Sequence, residues 1–193
     1  MERVGITGAS RAMLPDMKHS ELAERHELVA GELVEKASPS FEHGDAQFSI
    51  AICLASYRGK GGADRPGGWW FGTEVEIELE PDKEVYLPDV AGWRIERVPI
   101  RPSGRPIRIA PDWVCEILSP STSGRDLGHK RSVYYRAHVT HYWVIAPVDQ
   151  ALFVYRWRED GYGLVLAAGA DDVVRAEPFE GVEIRVGKMF GQS

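Results

Sequence analysis

Two acidic residues stand inside runs of sequence that otherwise favour a buried β-sheet, and this limits what the chain can become. The runs are LPDVAGW (87–93) and PDWVCEILSPS (111–121), and the acids are Asp89 and Glu116. A carboxylate in a buried strand is costly unless positive charge or hydrogen-bond donors meet it. In a regular strand Glu116 shares parity with Val114 and Leu118, and so faces inward with them. Lys130 follows Glu116 by 14 positions, in DLGHK (126–130), within a helix-like segment. Two carboxylates and a lysine brought together suit a divalent cation. That combination points to metal-assisted hydrolysis, with a phosphodiester as the first candidate.

The 193 residues are 44% apolar and 27% charged, enough for one well-buried domain and short for two. A loose tail is expected over residues 1–18, and a single domain over 19–193. No apolar run approaches the roughly 18 residues that a membrane-spanning helix needs. The first 20 residues carry basic groups but no apolar core, unlike a secretory signal. Cys53 and Cys115 lack Cys-x-x-Cys spacing, so neither a disulfide framework nor a thiolate zinc site is expected, and the default setting is a reducing cytoplasm. A net charge of −6 argues against non-specific coating of nucleic acid, which rests on phosphate neutralisation. It leaves room for a nuclease with bound metal and a local basic patch. One patch is visible in RIERVPIRPSGRPIR (94–108), where Arg94, Arg97, Arg101, Arg105 and Arg108 face Glu96 alone. Its Pro and Gly content makes it a loop, either merely solvated or in contact with phosphates.

SELAERHE (20–27) predicts a short helix with Ser20 as N-cap. LVAGELVEKAS (28–38) alternates around Gly31, as a strand or tight hairpin would, and residues 41–60 suit a helix buried on one side. GKGGADRPGG (59–68) is a loop. WWFGTEVEIELE (69–80) alternates as a strand, with Val75, Ile77 and Leu79 on one face and Glu74, Glu76, Glu78 and Glu80 on the other. EVYLPDVAGWR (84–94) and PDWVCEILS (111–119) follow as two further strands. Residues 126–139 return to helix, with Asp126 placed as N-cap. HYWVIAP (141–147) and ALFVYRW (151–157) read as a hairpin, and YGLVLAA, DVVRA and VEIRV add strands. The order implies an α/β domain: a mixed central β-sheet flanked by helices, with additional antiparallel strands.

Five segments together resemble the Uma-two endonuclease family, within the PD-(D/E)xK, restriction-endonuclease-like superfamily. They are HELVAGELVEKASPSFEHG (26–44), YLPDVAGW (86–93), PDWVCEILSPST (111–122), the lysine of DLGHK, and YY…HYWVIAP (134–147). The match spans roughly residues 20–155, and its specificity lies in PDWVCEILSPS with a lysine nine residues beyond its last serine. The resemblance implies a restriction-endonuclease-like core acting on DNA with Mg²⁺ or Mn²⁺. Asp89 and Glu116 would be metal ligands, and the backbone carbonyl of Ile117 would complete the protein's share. The superfamily usually carries its lysine two residues after the second acid. Leu118 stands there in this chain, and Lys130 is the matching lysine. Glu32 and His43 match further polar positions near the site. Ala146 stands where many relatives carry Asp. A homodimer would also be in keeping with such enzymes.

Elementary chemistry stands beside this. Mg²⁺ takes one or two carboxylates, keeps several waters and meets substrate phosphate. A lysine can orient the attacking water or offset charge in the transition state. Each residue also has a plainer reading. Asp89, after a proline, fits a turn or strand-end cap, and Asp112, also after a proline, fits a strand-start cap or a partner of the arginine loop. Glu116 fits a buried salt bridge, Lys130 an i,i+4 partner of Asp126, Glu32 an exposed partner of Lys36, and His43 a cap or surface residue. Tyr134, Tyr135, Tyr142 and Trp143 read as packing residues, whereas Trp69 and Trp70 are candidates for base stacking. Two other functions stay open: a non-catalytic nucleic-acid- or partner-binding module on the same fold, and a metal-dependent hydrolase of small phosphoesters. Convergence of Asp89, Glu116 and Lys130 would favour the enzymes over the module.

Overall fold

The chain leaves one β-sheet for another and then returns, and the two crossings set up the site. A computed structural model of the protein describes residues 25–63, 65–119 and 126–192, with residues 126 and 127 described for their backbone alone. The expected tail (1–18) and Ser20 cap lie outside the described residues. Strands β1 (His26–Val29) and β2 (Glu32–Glu35) precede helix α1 (Phe41–Cys53) and a 3₁₀ turn (Ala55–Tyr57). Then come β3 (Trp69–Thr73), β4 (Ile77–Glu80), β5 (Glu84–Tyr86), β6 (Val90–Arg94) and β7 (Trp113–Ile117). Helix α2 (Asp126–Arg136) leads to β8 (His141–Ala146), β9 (Ala151–Arg158) and β10 (Gly161–Gly169). β11 (Val173–Val174), β12 (Ile184–Arg185) and a 3₁₀ turn (Val186–Phe190) follow. The central sheet is mixed and six-stranded, in the order β10-β9-β8-β7-β6-β3, beside a four-stranded sheet ordered β2-β1-β5-β4 and the small β11-β12 pair. β7 and β8 run parallel, joined by α2 as their crossover.

The crossings correct two expected strands. Residues 69–80 and 84–94 each alternate as one strand would, yet each is two strands in different sheets. The first break falls where Glu74 adopts a positive φ of 49°. The second falls at Pro88, which has no N–H for a ladder. The two breaks lie side by side, the Glu74 N–H donating to the Pro88 carbonyl at 3.1 Å. Glu76 therefore does not share a solvent face with its neighbours; it is buried, and Arg105 Nε donates to it at 2.6 Å.

The expected helix over 20–27 is also corrected at its end, because His26 and Glu27 belong to β1. Pairing with β2 on one side and β5 on the other outweighs local helix preference. The β1–β2 hairpin turns at Ala30 and Gly31, with φ of 51° and 82°. Two consecutive positive φ values match the twist of the flanking strands in a two-residue turn. The turn is anchored by the Ala30 N–H on buried Glu84 (3.2 Å) and the Gly31 N–H on the Lys83 carbonyl (2.9 Å).

Alternation in the central sheet divides the core. Trp113, Cys115, Ile117, Trp143 and Ile145 face α1 through Ala46 and Ile50, and also meet the C-terminal Phe179 and Ile184. The Phe179 ring lies 4.9–5.7 Å, centroid to centroid, from those of Tyr57, Trp69, Phe71, Trp113 and Trp143. On the other face Val114, Tyr142 and Val144 pack with Val133 and Tyr134 of α2 and Tyr86 of β5. Trp69 is core rather than a stacking platform, and the Trp70 indole donates to the Val98 carbonyl at 3.0 Å. Among the described residues no helix is long and apolar enough to cross a membrane.

Candidate active site

β6 and β7 run antiparallel with Val90 opposite Cys115, so one further step brings Asp89 opposite Glu116. Both carboxylates are buried, 1% and 6% exposed, and both line a cleft of about 720 Å³. The Ile117 N–H donates to Asp89 Oδ2 at 2.7 Å, which ties the first acid to the peptide after the second. Asp89 Oδ1 takes a 2.8 Å bond from Lys36 Nζ. His43 Nε2 lies 3.1 Å from the same oxygen, an ion-pair distance without hydrogen-bond geometry. His43 is set by α1, where Ser40 Oγ caps the His43 N–H at 3.3 Å.

The opposite wall comes from α2. Lys130 Nζ donates to Glu27 Oε1 at 2.8 Å and lies 3.6 Å from Glu116 Oε1. Tyr134, four residues on and therefore on the same helix face, donates its hydroxyl to Glu116 Oε1 at 2.6 Å. Glu27 Oε1 also accepts the Leu87 N–H at 3.0 Å, so one carboxylate braces both the lysine and the approach to Asp89.

Burial works against ionisation of Asp89, but His43 and Lys36 outweigh it and hold the carboxyl at about 2. For Glu116 burial wins: it pushes the carboxyl up, Lys130 pulls it down, and Asp89 adds repulsion. Burial also opposes the Lys130 charge, yet Glu116 and Glu27 more than compensate and keep the ammonium protonated. Burial and Glu116 raise the Tyr134 phenol, which makes it a firm donor. Glu27, Glu35, Glu42, Asp89 and Glu116 face the cleft against the cations Arg25, Lys36 and Lys130. Among the described residues five carboxylates line the cleft against three cations, and their oxygen donors suit a hard divalent ion. Both His43 ring nitrogens are buried without a hydrogen bond beside it. Among the described residues no group of three or more His, Cys, Asp or Glu forms a metal cage. Asp89 and Glu116 are thus the residues that would hold such an ion, with too few protein ligands beside them to enclose it.

The structure thus brings together Asp89, Glu116, Lys130, His43 and Ile117. It does not bring Glu32, which opens β2 exposed and opposite Val29, away from the cleft wall. The arginine loop also lies off that wall. Arg94 stacks on Trp69 at 4.8 Å, and Arg97 binds Asp112 at 2.7 Å. Arg105 and Arg108 bind Glu76 and Glu78, each at 2.6 Å, and Arg101 is exposed. Asp112 is accordingly a brace, also accepting the Arg94 N–H at 2.8 Å. Sequence reasoning missed Glu27 and Lys36. The signal was the Ala-Gly pair: read as a two-residue turn, it puts Glu27 opposite Val34 and on one face with Lys36.

A mixed six-stranded sheet whose parallel pair is joined by a crossover helix defines an α/β protein. The same fold occurs in a crystal structure described as "a putative nuclease belonging to DUF820" from Anabaena variabilis. The TM-score is 0.68 over 88% of this chain and 91% of that one, at 21% identity. The chain belongs to the Uma2 family, described as "Putative restriction endonuclease", whose profile matches residues 14–187. No curated protein matches it.

Proposed function

We propose that the protein is a metal-dependent endonuclease that hydrolyses DNA phosphodiester bonds. Asp89 and Glu116, with the Ile117 carbonyl beside them, would hold Mg²⁺ or Mn²⁺. One observation carries the reading: the two acids face each other across β6 and β7 in a cleft short of positive charge, with the Lys130 ammonium 3.6 Å from Glu116. Family membership supports a nuclease. When bound, the cation supplies charge neutralisation at the scissile phosphate and a water of lowered pKa.

The chain's own residues do the rest. Lys130 presents a fixed ammonium to charge developing on the phosphate oxygens, and Glu27 keeps it in place. Tyr134 restrains Glu116 through its hydroxyl, and the Asp89–Ile117 bond fixes the two acids relative to each other. Arg25, paired with Glu74 at 2.8 Å, lines the same cleft and would be the cation nearest to hand for a flanking phosphate. The unpaired Cys53 and Cys115 fit a reducing, cytoplasmic setting.

The test is calorimetric titration of Mg²⁺ and Mn²⁺ into wild type and Glu116→Ala, with plasmid nicking on the same samples. Loss of both metal binding and nicking in the variant is expected. Nicking at wild-type rate in Glu116→Ala would refute the assignment. One observation favours a second reading, a non-catalytic module: Glu27, Asp89 and Glu116 each already have a lysine or tyrosine partner. Absence of metal binding by the wild type would decide for it.

A further inference from the structure

We propose that Lys36 is a resident counter-ion of Asp89 that competes with the divalent cation and so sets how tightly the metal binds. This rests on the metal-dependent reading above. The two lysines of the cleft differ in what they balance. Lys130 makes its closest contact with Glu27 and stays 3.6 Å from Glu116, which takes its one short bond from the neutral Tyr134 hydroxyl. Lys36 makes its 2.8 Å contact with Asp89 itself. Asp89 Oδ2 is engaged by the Ile117 N–H, so Lys36 holds the other oxygen, Oδ1. A carboxylate oxygen can accept twice, but an ammonium and a divalent ion on one oxygen repel each other strongly in a partly buried site.

Lys36 also has somewhere to go. Its ammonium keeps a 2.6 Å bond to the Leu87 carbonyl and lies 3.8 Å from Glu74 Oε1, on a carboxylate that also accepts from Arg25 Nη1 at 2.8 Å and Nη2 at 3.1 Å. Turning from Asp89 toward Glu74 keeps the ammonium beside a carboxylate, shared there with Arg25, and leaves it on the cleft wall. Metal binding and the Lys36–Asp89 contact thus become alternatives, with the lysine as the adjustable partner.

The experiment is a calorimetric titration of Mn²⁺, without nucleic acid, into wild type, Lys36→Met, Lys36→Gln, Lys36→Arg and Glu116→Ala, with thermal melts of each. The Met and Gln variants should bind about tenfold tighter than wild type, and the charge-retaining Arg variant close to wild type. The Gln variant carries the test if the Met variant fails to fold. Equal or weaker binding in a folded neutral variant, with wild type binding and Glu116→Ala not, would overturn the competition alone. No binding by wild type or any Lys36 variant would overturn the metal-dependent reading and this inference with it.

Discussion

Glu27 and Lys130 meet at 2.8 Å although 103 residues separate them in the chain. The contact joins the first described strand to the crossover helix, and both side chains are almost out of water. Breaking a buried pair by removing one partner costs about 3–5 kcal/mol, because the survivor stays charged. Glu27→Ala should therefore destabilise the fold by about 3 kcal/mol. Glu27→Gln, which still accepts the Leu87 N–H, should cost only about 1–2 kcal/mol. Denaturant unfolding of the three proteins checks this, and equal midpoints would show the pair to be inert.

Glu116 and its two neighbours should separate by phenotype. Tyr134→Phe removes one hydrogen bond and should cost about 1 kcal/mol while leaving metal binding in place. Lys130→Met should lower turnover without weakening metal affinity. A large loss of affinity in that variant would mean that the lysine organises the carboxylates rather than the reacting phosphate. Metal titration and nicking rates on the same preparations distinguish the cases.

His141 gives a pH dependence away from the cleft. Burial holds it below the ordinary histidine value of 6.5, with Glu177 pulling it back up and Arg94 reinforcing the shift. The unfolded chain therefore takes up this proton first as the pH falls. The stability that neutral His141 contributes is complete above about 6.5 and drains away as the pH drops toward its folded-state value. The fall in Tm between pH 7.5 and pH 5.5 should be smaller in His141→Gln than in wild type. Parallel pH profiles would remove His141 from the account.

The arginine loop should behave as structure. Arg105→Ala strips the partner from buried Glu76, and a loss of about 1–2 kcal/mol is expected. Under the proposed function, the salt dependence of DNA binding should be the same in this variant as in wild type, since that slope counts phosphate contacts. A slope reduced by about one in Arg105→Ala would place the loop on the nucleic acid instead.

Much of the site was legible because its signal is local. Asp89 and Glu116 stand out as charges within apolar strands, and strand parity alone turns Glu116 inward beside Val114. Lys130 was visible as a lysine in the helix-like segment after Glu116, its role and that of His43 came from the family resemblance, and the structure puts both beside the acids. Glu27 and Lys36 were not legible, because their roles depend on a hairpin register and on partners 103 and 53 residues away. The strand breaks at Glu74 and Pro88 were hidden for a related reason. Alternation continues through both, and which sheet receives each half is decided by pairing rather than by composition. The partners of Arg105 and Arg108 were hidden because alternation assigns Glu76 and Glu78 to a solvent face, whereas Asp112 was legible as a partner of the arginine loop.

The two-residue turn at Ala30–Gly31 carries a consequence beyond its own hairpin. Glu27 stands on one arm, and Lys36 directly follows the other. A one-residue slip in the pairing would swing either side chain to the opposite face. Such a molecule would keep its Trp-rich core and its central sheet yet lose the brace on Lys130 or the counter-ion of Asp89. Fidelity of the cleft is thus written partly in backbone dihedrals, at a corner apart from both Asp89 and Glu116. Loop grafting or consensus redesign of residues 30–31 would tune the enzyme without altering one cleft side chain.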